Sequence, residues 1–124
     1  MALEIPKRSE IPDPGFYYHY KHDPAVGINH YAYEVLGIGF HTEDNCRVED
    51  KVMVNYRPLY KGAAVYRASL GLGVPCHDFR PLHMFMDKNV KKDGKVYPHR
   101  FMRITDPDTI LKLELIREEL YPRS

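Results

Sequence analysis

Tryptophan is absent from this chain, cysteine occurs only twice, and the charges nearly cancel, with 18 Lys and Arg against 17 Asp and Glu. The near-neutral balance excludes a large overall field driving the protein onto nucleic acid or an anionic membrane, so partners must be recognised locally. Cys46 and Cys76 lie far apart with no further cysteines to form a disulfide framework, which favours reduced thiols in an intracellular compartment. No apolar run approaches membrane-spanning length, and Glu4, Lys7, Arg8 and Glu10 break up the stretch where a signal peptide needs an apolar segment. A soluble, cytoplasmic protein without a membrane partner is expected. The sequence carries no signal for an oligomeric state.

The usual catalytic and metal motifs are missing as well. The "GLG" at 71–73 lacks the lysine and spacing of a phosphate loop, and Ser9, Ser69 and Ser124 sit in no nucleophile elbow. Ligand-type residues occur as His19-x-x-His22, His41 with Cys46, and Cys76-His77. There is no Cys-x-x-Cys pair and no His-x-His followed by glutamate, so neither a metal nor another cofactor is expected.

What the chain does contain is short β-rich runs separated by turn residues, within a length that suits one domain. Prolines at 6, 12 and 14 keep residues 1–14 out of helix and central strand, leaving an extended N-terminal arm. Residues 15–105 then read as a mainly β domain of five or six strands, a small SH3-like antiparallel barrel. The first strand, from Phe16 to about Lys21, places Phe16, Tyr18 and Tyr20 on one face and Tyr17, His19 and Lys21 on the other.

A second strand lies in "YAYEVLGIGFHT", whose alternating Gly37 and Gly39 mark a bend or a close backbone approach. "KVMVNYR" alternates as a half-buried strand, "AAVYRASL" reads as another, and Pro81 confines "FRPLHMFM" to an edge strand or a compact turn. Asp93-Gly94 between lysines predicts a type I′ hairpin joining 88–92 to 95–104. Asp106-Pro107-Asp108 opens a C-terminal helix over 106–121, although "LKLEL" also alternates as a strand would.

The pieces "GFYYHYK", "YEVLGIGFHTE", "YRPLY" and "FRPLHMF", in that order, resemble the domain-of-unknown-function family 1653 over about Gly15 to Phe101. The resemblance maps its motif positions onto Gly15, Tyr17, His19, Tyr20 and Lys21. Next come Tyr33, Glu34, Val35, Gly37, His41, Thr42 and Glu43, then Tyr56, Arg57, Leu59 and Tyr60, and finally Arg80, Pro81, Leu82, Met84 and Phe85. Tyr66-Arg67 competes with Tyr56-Arg57 for the tyrosine-arginine position, and Phe79 stands where the family pattern leads one to expect tryptophan. The resemblance implies motif positions and no activity.

The leading functional candidate is a polar aromatic surface of Tyr17, His19, His41, Glu43, Arg57 and Arg80, with Glu34 beside it. Tyrosine supplies flat area and a hydroxyl, arginine a bidentate fork, and histidine a donor or acceptor. That set suits a non-enzymatic binding module for a small anionic or planar ligand or a peptide. The plainer alternative is that the tyrosines close the barrel with their hydroxyls satisfied by water, while the arginines pair with Glu34, Glu43 or Asp78.

Two other classes stay open. One is a small enzyme using Glu34 or Glu43 with a histidine, with or without a metal. The other is a barrel binding single-stranded RNA or DNA through aromatic and basic residues, which the charge balance disfavours. Lys88, Lys91, Lys92 and Lys95 read as the solvated tip of the hairpin, where lysines also discourage edge-to-edge association.

Overall fold

The computed structural model describes residues 5–122. Residues 1–4 of the expected arm therefore lie outside the described residues. Strands β1 (Gly15–His19), β2 (Ala32–Phe40) and β3 (Val52–Pro58) precede helix α1 (Lys61–Gly71). Strand β4 (Asp78–Pro81), single-turn helix α2 (Leu82–Phe85), and strands β5 (Lys88–Lys92), β6 (Lys95–His99) and β7 (Phe101–Arg103) follow, and α3 (Pro107–Leu120) closes the chain. Five strands form one antiparallel sheet in the order β4-β3-β2-β1-β7, and β5-β6 is a separate hairpin.

The sheet is open, with β4 and β7 as its edges, so the expected closed barrel is corrected. Its faces are covered by helices instead. On one face Phe16 and Ala32 pack with Leu59, Ile104 and Leu113, bringing α3 onto β1 and β2. On the other, Tyr17, Tyr33, Val35, Val54, Tyr56 and Phe101 pack with Leu82 and Phe85 of α2. The alternation along β1 is thus as expected, but both sets of side chains are buried rather than one.

The stretch 63–70 is the second correction, because it lies in α1 and not in a strand. Its alanines, leucine and arginine are good helix formers, and Ala64 alone is buried. Val65, Tyr66 and Leu70 point to solvent, and these exposed apolar residues imitate a strand pattern. Left-handed Leu72 (φ 53°) ends the helix.

The bend anticipated at the glycines of β2 is a β-bulge. Val35 pairs with Tyr56 and Gly37 with Asn55, leaving Leu36 as an extra residue. The bulge turns Ile38 and Phe40 to the side of their partners Val54 and Val52. Gly37 and Gly39 approach no neighbouring atom, so the close-approach alternative does not hold.

The remaining signals work as read. Asp93 (φ 52°) and Gly94 (φ 77°) both occupy the positive-φ region that a type I′ turn requires. The strand expected to continue to 104 breaks at Arg100, and β7 leaves the hairpin to pair with β1. Pro81 does sit on an edge strand, followed directly by the compact turn of α2. At α3 the Asp106 carboxylate accepts the Thr109 backbone N–H at 3.0 Å, with Pro107 in the first helical position.

Leu113 is fully buried against the sheet, whereas Leu111 one turn-face away is 59% exposed. Leu113→Ala is expected to cost about 2–5 kcal/mol in urea unfolding, and Leu111→Ala no more than about 0.5 kcal/mol. Equal losses at the two positions would contradict this packing of α3.

Candidate functional site

Whether a side chain of the central strands belongs to one face or the other follows from its register, and register divides the expected residues. Tyr17 pairs with Tyr33, while Phe16 pairs with Glu34, which pairs in turn with Arg57. Tyr17 and His19 therefore share the α2 face, and Glu34 and Arg57 the α3 face. Arg80, opposite Val54, joins the first group. His41 and Glu43 lie beyond the end of β2 in a loop and meet neither group. The residues thus form no single surface.

On the α2 face, Tyr17 and His19 are core residues, at 7% and 9% exposure. The Tyr17 hydroxyl donates to the Asp13 carbonyl at 2.9 Å, which fastens the segment before β1 to the sheet. Arg80 Nε donates to the Tyr56 hydroxyl at 3.2 Å. His19 sits edge-on to Phe101 and takes the Lys21 backbone N–H on Nδ1 at 3.2 Å. Burial, then the charges of Lys21, Arg100 and Arg80, lower its pKa to about 4.

The α3 face holds a tighter arrangement. Glu34, itself only 9% exposed, accepts a hydrogen bond from Arg57 Nε at 2.9 Å on Oε1, with Nη2 2.8 Å away in the same ion pair, and one from Arg117 Nη1 at 2.9 Å on Oε2. One carboxylate therefore joins β2, β3 and α3. The Arg57 guanidinium lies 4.1 Å from the centroid of the Tyr121 ring, a cation–π distance. The Tyr121 hydroxyl donates to the Pro58 carbonyl at 2.6 Å, and burial pushes its pKa up to about 12. These groups, with Glu118 and Pro122, line an open cleft of about 280 Å3.

Arg117 and Tyr121 escaped the sequence reading, yet a signal for them exists. They follow the buried Leu113 at intervals of four residues, the spacing that keeps side chains on one helix face.

Chemically, Glu34 has both oxygens held by guanidinium groups. Glu43 meets His41 through its backbone N–H, at 3.1 Å from Nδ1, and not through its carboxylate. Arg67 pairs with Asp78 at 2.8 Å, so this arginine of the competing tyrosine-arginine pair belongs to a tie between α1 and β4. Among the described residues no group of three or more His, Cys, Asp or Glu is placed to hold a metal ion. None of the described helices is long and apolar enough to cross a membrane.

A family model described as "Protein of unknown function (DUF1653)" matches residues 15–103, which bears out the resemblance carried by the motifs. No curated protein and no solved structure matches the chain.

The His19 arrangement makes stability depend on pH. An imidazole whose folded pKa lies below its unfolded value of about 6.5 binds a proton more readily when unfolded, so its contribution is complete above that value and is lost as the pH falls toward 4. The full loss is on the order of 3 kcal/mol. Urea midpoints taken from pH 7 to 4 should fall less steeply for His19→Asn than for the parent chain. Parallel profiles would remove His19 as the cause.

Proposed function

The chain belongs to the family described as Protein of unknown function (DUF1653), and we propose that it is a non-enzymatic binding module whose site is the cleft between β2, β3 and the end of α3. The ligand class is a small molecule joining an anionic group to a flat ring. The observation that carries the reading is the placement of Arg57, held on Glu34 and stacked 4.1 Å over Tyr121 at the wall of an open cleft.

The two guanidinium groups of the cleft, Arg57 and Arg117, meet two carboxylates, Glu34 and Glu118, so an entering anion competes with Glu118 for Arg117. Arg57 turns Nε to Glu34 as a hydrogen-bond donor, which leaves N–H groups of its Nη atoms for a ligand. Arg117 commits Nη1 to Glu34 and shares Nη2 with Glu118 at 3.3 Å, a contact that an entering anion replaces. Arginine held in this way is oriented before binding and loses little side-chain freedom on meeting a carboxylate or phosphate. Tyr121 supplies the flat wall, and a cleft of this size suits a small ligand. Tyr17 and His19, buried on the opposite face, support the sheet in this reading and do not touch the ligand.

Phenyl phosphate is a suitable probe. Titrated into isotopically labelled protein, it is expected to shift backbone amide resonances of residues 34, 57, 117, 118 and 121. Tyr121→Leu should weaken binding roughly tenfold through loss of stacking. Shifts confined to the β5–β6 hairpin, or none among the cleft residues, would overturn the assignment.

A further inference from the structure

The balance of charge over the whole chain hides a marked local imbalance. Residues 88–100 contain Lys88, Lys91, Lys92, Lys95 and Arg100 against the single acid Asp93, so the rest of the chain is net acidic. The hairpin also stands out from the body: in both of its strands every residue is exposed except the central one, Val90 in β5 and Tyr97 in β6.

Its register sorts the cations. Val90 faces Tyr97 and Lys92 faces Lys95, so these four side chains share one side of the ribbon, while Lys91 and Val96 take the other; Lys88 faces His99 beyond Asn89 (φ 54°). On the lysine side Tyr97 lies 4.9 Å from Tyr20, ring centre to ring centre, and the Arg100 guanidinium stands 6.0 Å from Tyr20. Arg100 is held in place by Asp87 at 3.2 Å, and exposed Lys21 follows Tyr20 directly. Both rings are half-buried and keep part of their surface in solvent.

We propose that this side of the β5–β6 hairpin, with Tyr20, Tyr97 and Arg100 at its base, is a binding surface for single-stranded nucleic acid. Exposed lysines are mobile point charges that follow a phosphate chain without demanding a fixed geometry. Half-exposed tyrosines offer planes on which unpaired bases stack. Lysines that merely guard a sheet edge have no need of a ring pair on their own side of the ribbon. The site shares no residue with the cleft of Glu34 and Arg57 and stands or falls independently of it.

Fluorescence anisotropy with a labelled oligouridine of about 12 nucleotides tests the proposal. Binding is expected at low salt, with log K falling against log salt at a slope of about −2 to −3, as three or four phosphate contacts give at about −0.7 each. Lys92→Ala/Lys95→Ala should reduce the slope by about 1.4. Tyr97→Leu should weaken binding roughly 5- to 100-fold, and Tyr97→Phe should retain it. Circular dichroism checks that each variant is folded. Absence of binding at low salt, or a lysine double variant that binds as the parent does, would overturn the proposal. So would a duplex that binds more tightly than the single strand, or polyglutamate that competes as well as oligouridine while Tyr97→Leu changes nothing, an outcome that points to an acidic protein surface.

Discussion

The pairing of β1 with β2 fixes almost everything else, because both faces of these strands are buried against different covers. Tyr17 opposite Tyr33 belongs to the aromatic core under α2, and Phe16 opposite Glu34 to the core under α3. A slip of one residue would exchange the two sets and drive Glu34 into a packed cluster of rings. The buried carboxylate thus penalises the wrong register, while in the correct one it finds Arg57 across the strand and Arg117 from the helix. A buried ion pair of this kind contributes less to net stability than its short distances suggest, since desolvation offsets much of the attraction. Its larger effect is that removing Glu34 strips Arg57 and Arg117 of the carboxylate they share, which ties β2, β3 and α3 into one arrangement.

Tyrosine carries the core of a chain without tryptophan, and it does two jobs there. The rings of Tyr17, Tyr33 and Tyr56 meet Phe85 and Phe101 in edge-to-face contacts. The hydroxyls reach outward and fasten neighbouring segments. Tyr17 holds the Asp13 carbonyl, Tyr33 shares a hydrogen bond with Tyr60 at 2.7 Å, Tyr18 bonds the Ile28 carbonyl and Tyr121 bonds that of Pro58. Phenylalanine at these places would keep the buried area and lose the clasps, with a carbonyl left short of a partner in several of them. The plainer sequence expectation is met in part: tyrosines are core residues and Arg57 pairs with Glu34, but the hydroxyls expected to face water bond protein groups, and the arginine at Asp78 is Arg67.

Local chemistry was legible where a residue type has few conformations open to it. Asp-Gly in the hairpin turn and the alternation along β1 each left one reading, Asp-Pro marked the start of α3 although the alternation of 111–115 kept a strand open, and the motifs identified the family. Legibility failed where tertiary context chose. The apolar residues of 63–70 face solvent on a helix and look like a strand until one knows that only Ala64 is buried. The bulge at Leu36 reverses which residues of β2 share a face, and a bulge is a property of two strands that neither announces alone. The expected binding surface divided for the same reason: even and odd positions on different strands can be grouped only once their register is known. Four-residue spacing along one helix needs no such knowledge, and Leu113, Arg117 and Tyr121, the last at the C-cap of α3, could be grouped in that way.

The family match ends at Arg103, with the last strand of the sheet, so the cleft draws its two walls from different sources. Glu34 and Arg57 belong to the matched sheet, where cross-strand pairing holds them rigid. Arg117 and Tyr121 come from the helix beyond it, and their positions depend on how Leu113 and Ile110 seat α3 against Phe16 and Ile104. A sheet residue cannot turn away without breaking its strand, whereas a helix can tilt or slide by small amounts when side chains at its interface change. The half of the cleft built by Glu34 and Arg57 is therefore the constrained half. The half contributed by α3, with Arg117 and Tyr121, is the one free to be reshaped when side chains at the helix interface change.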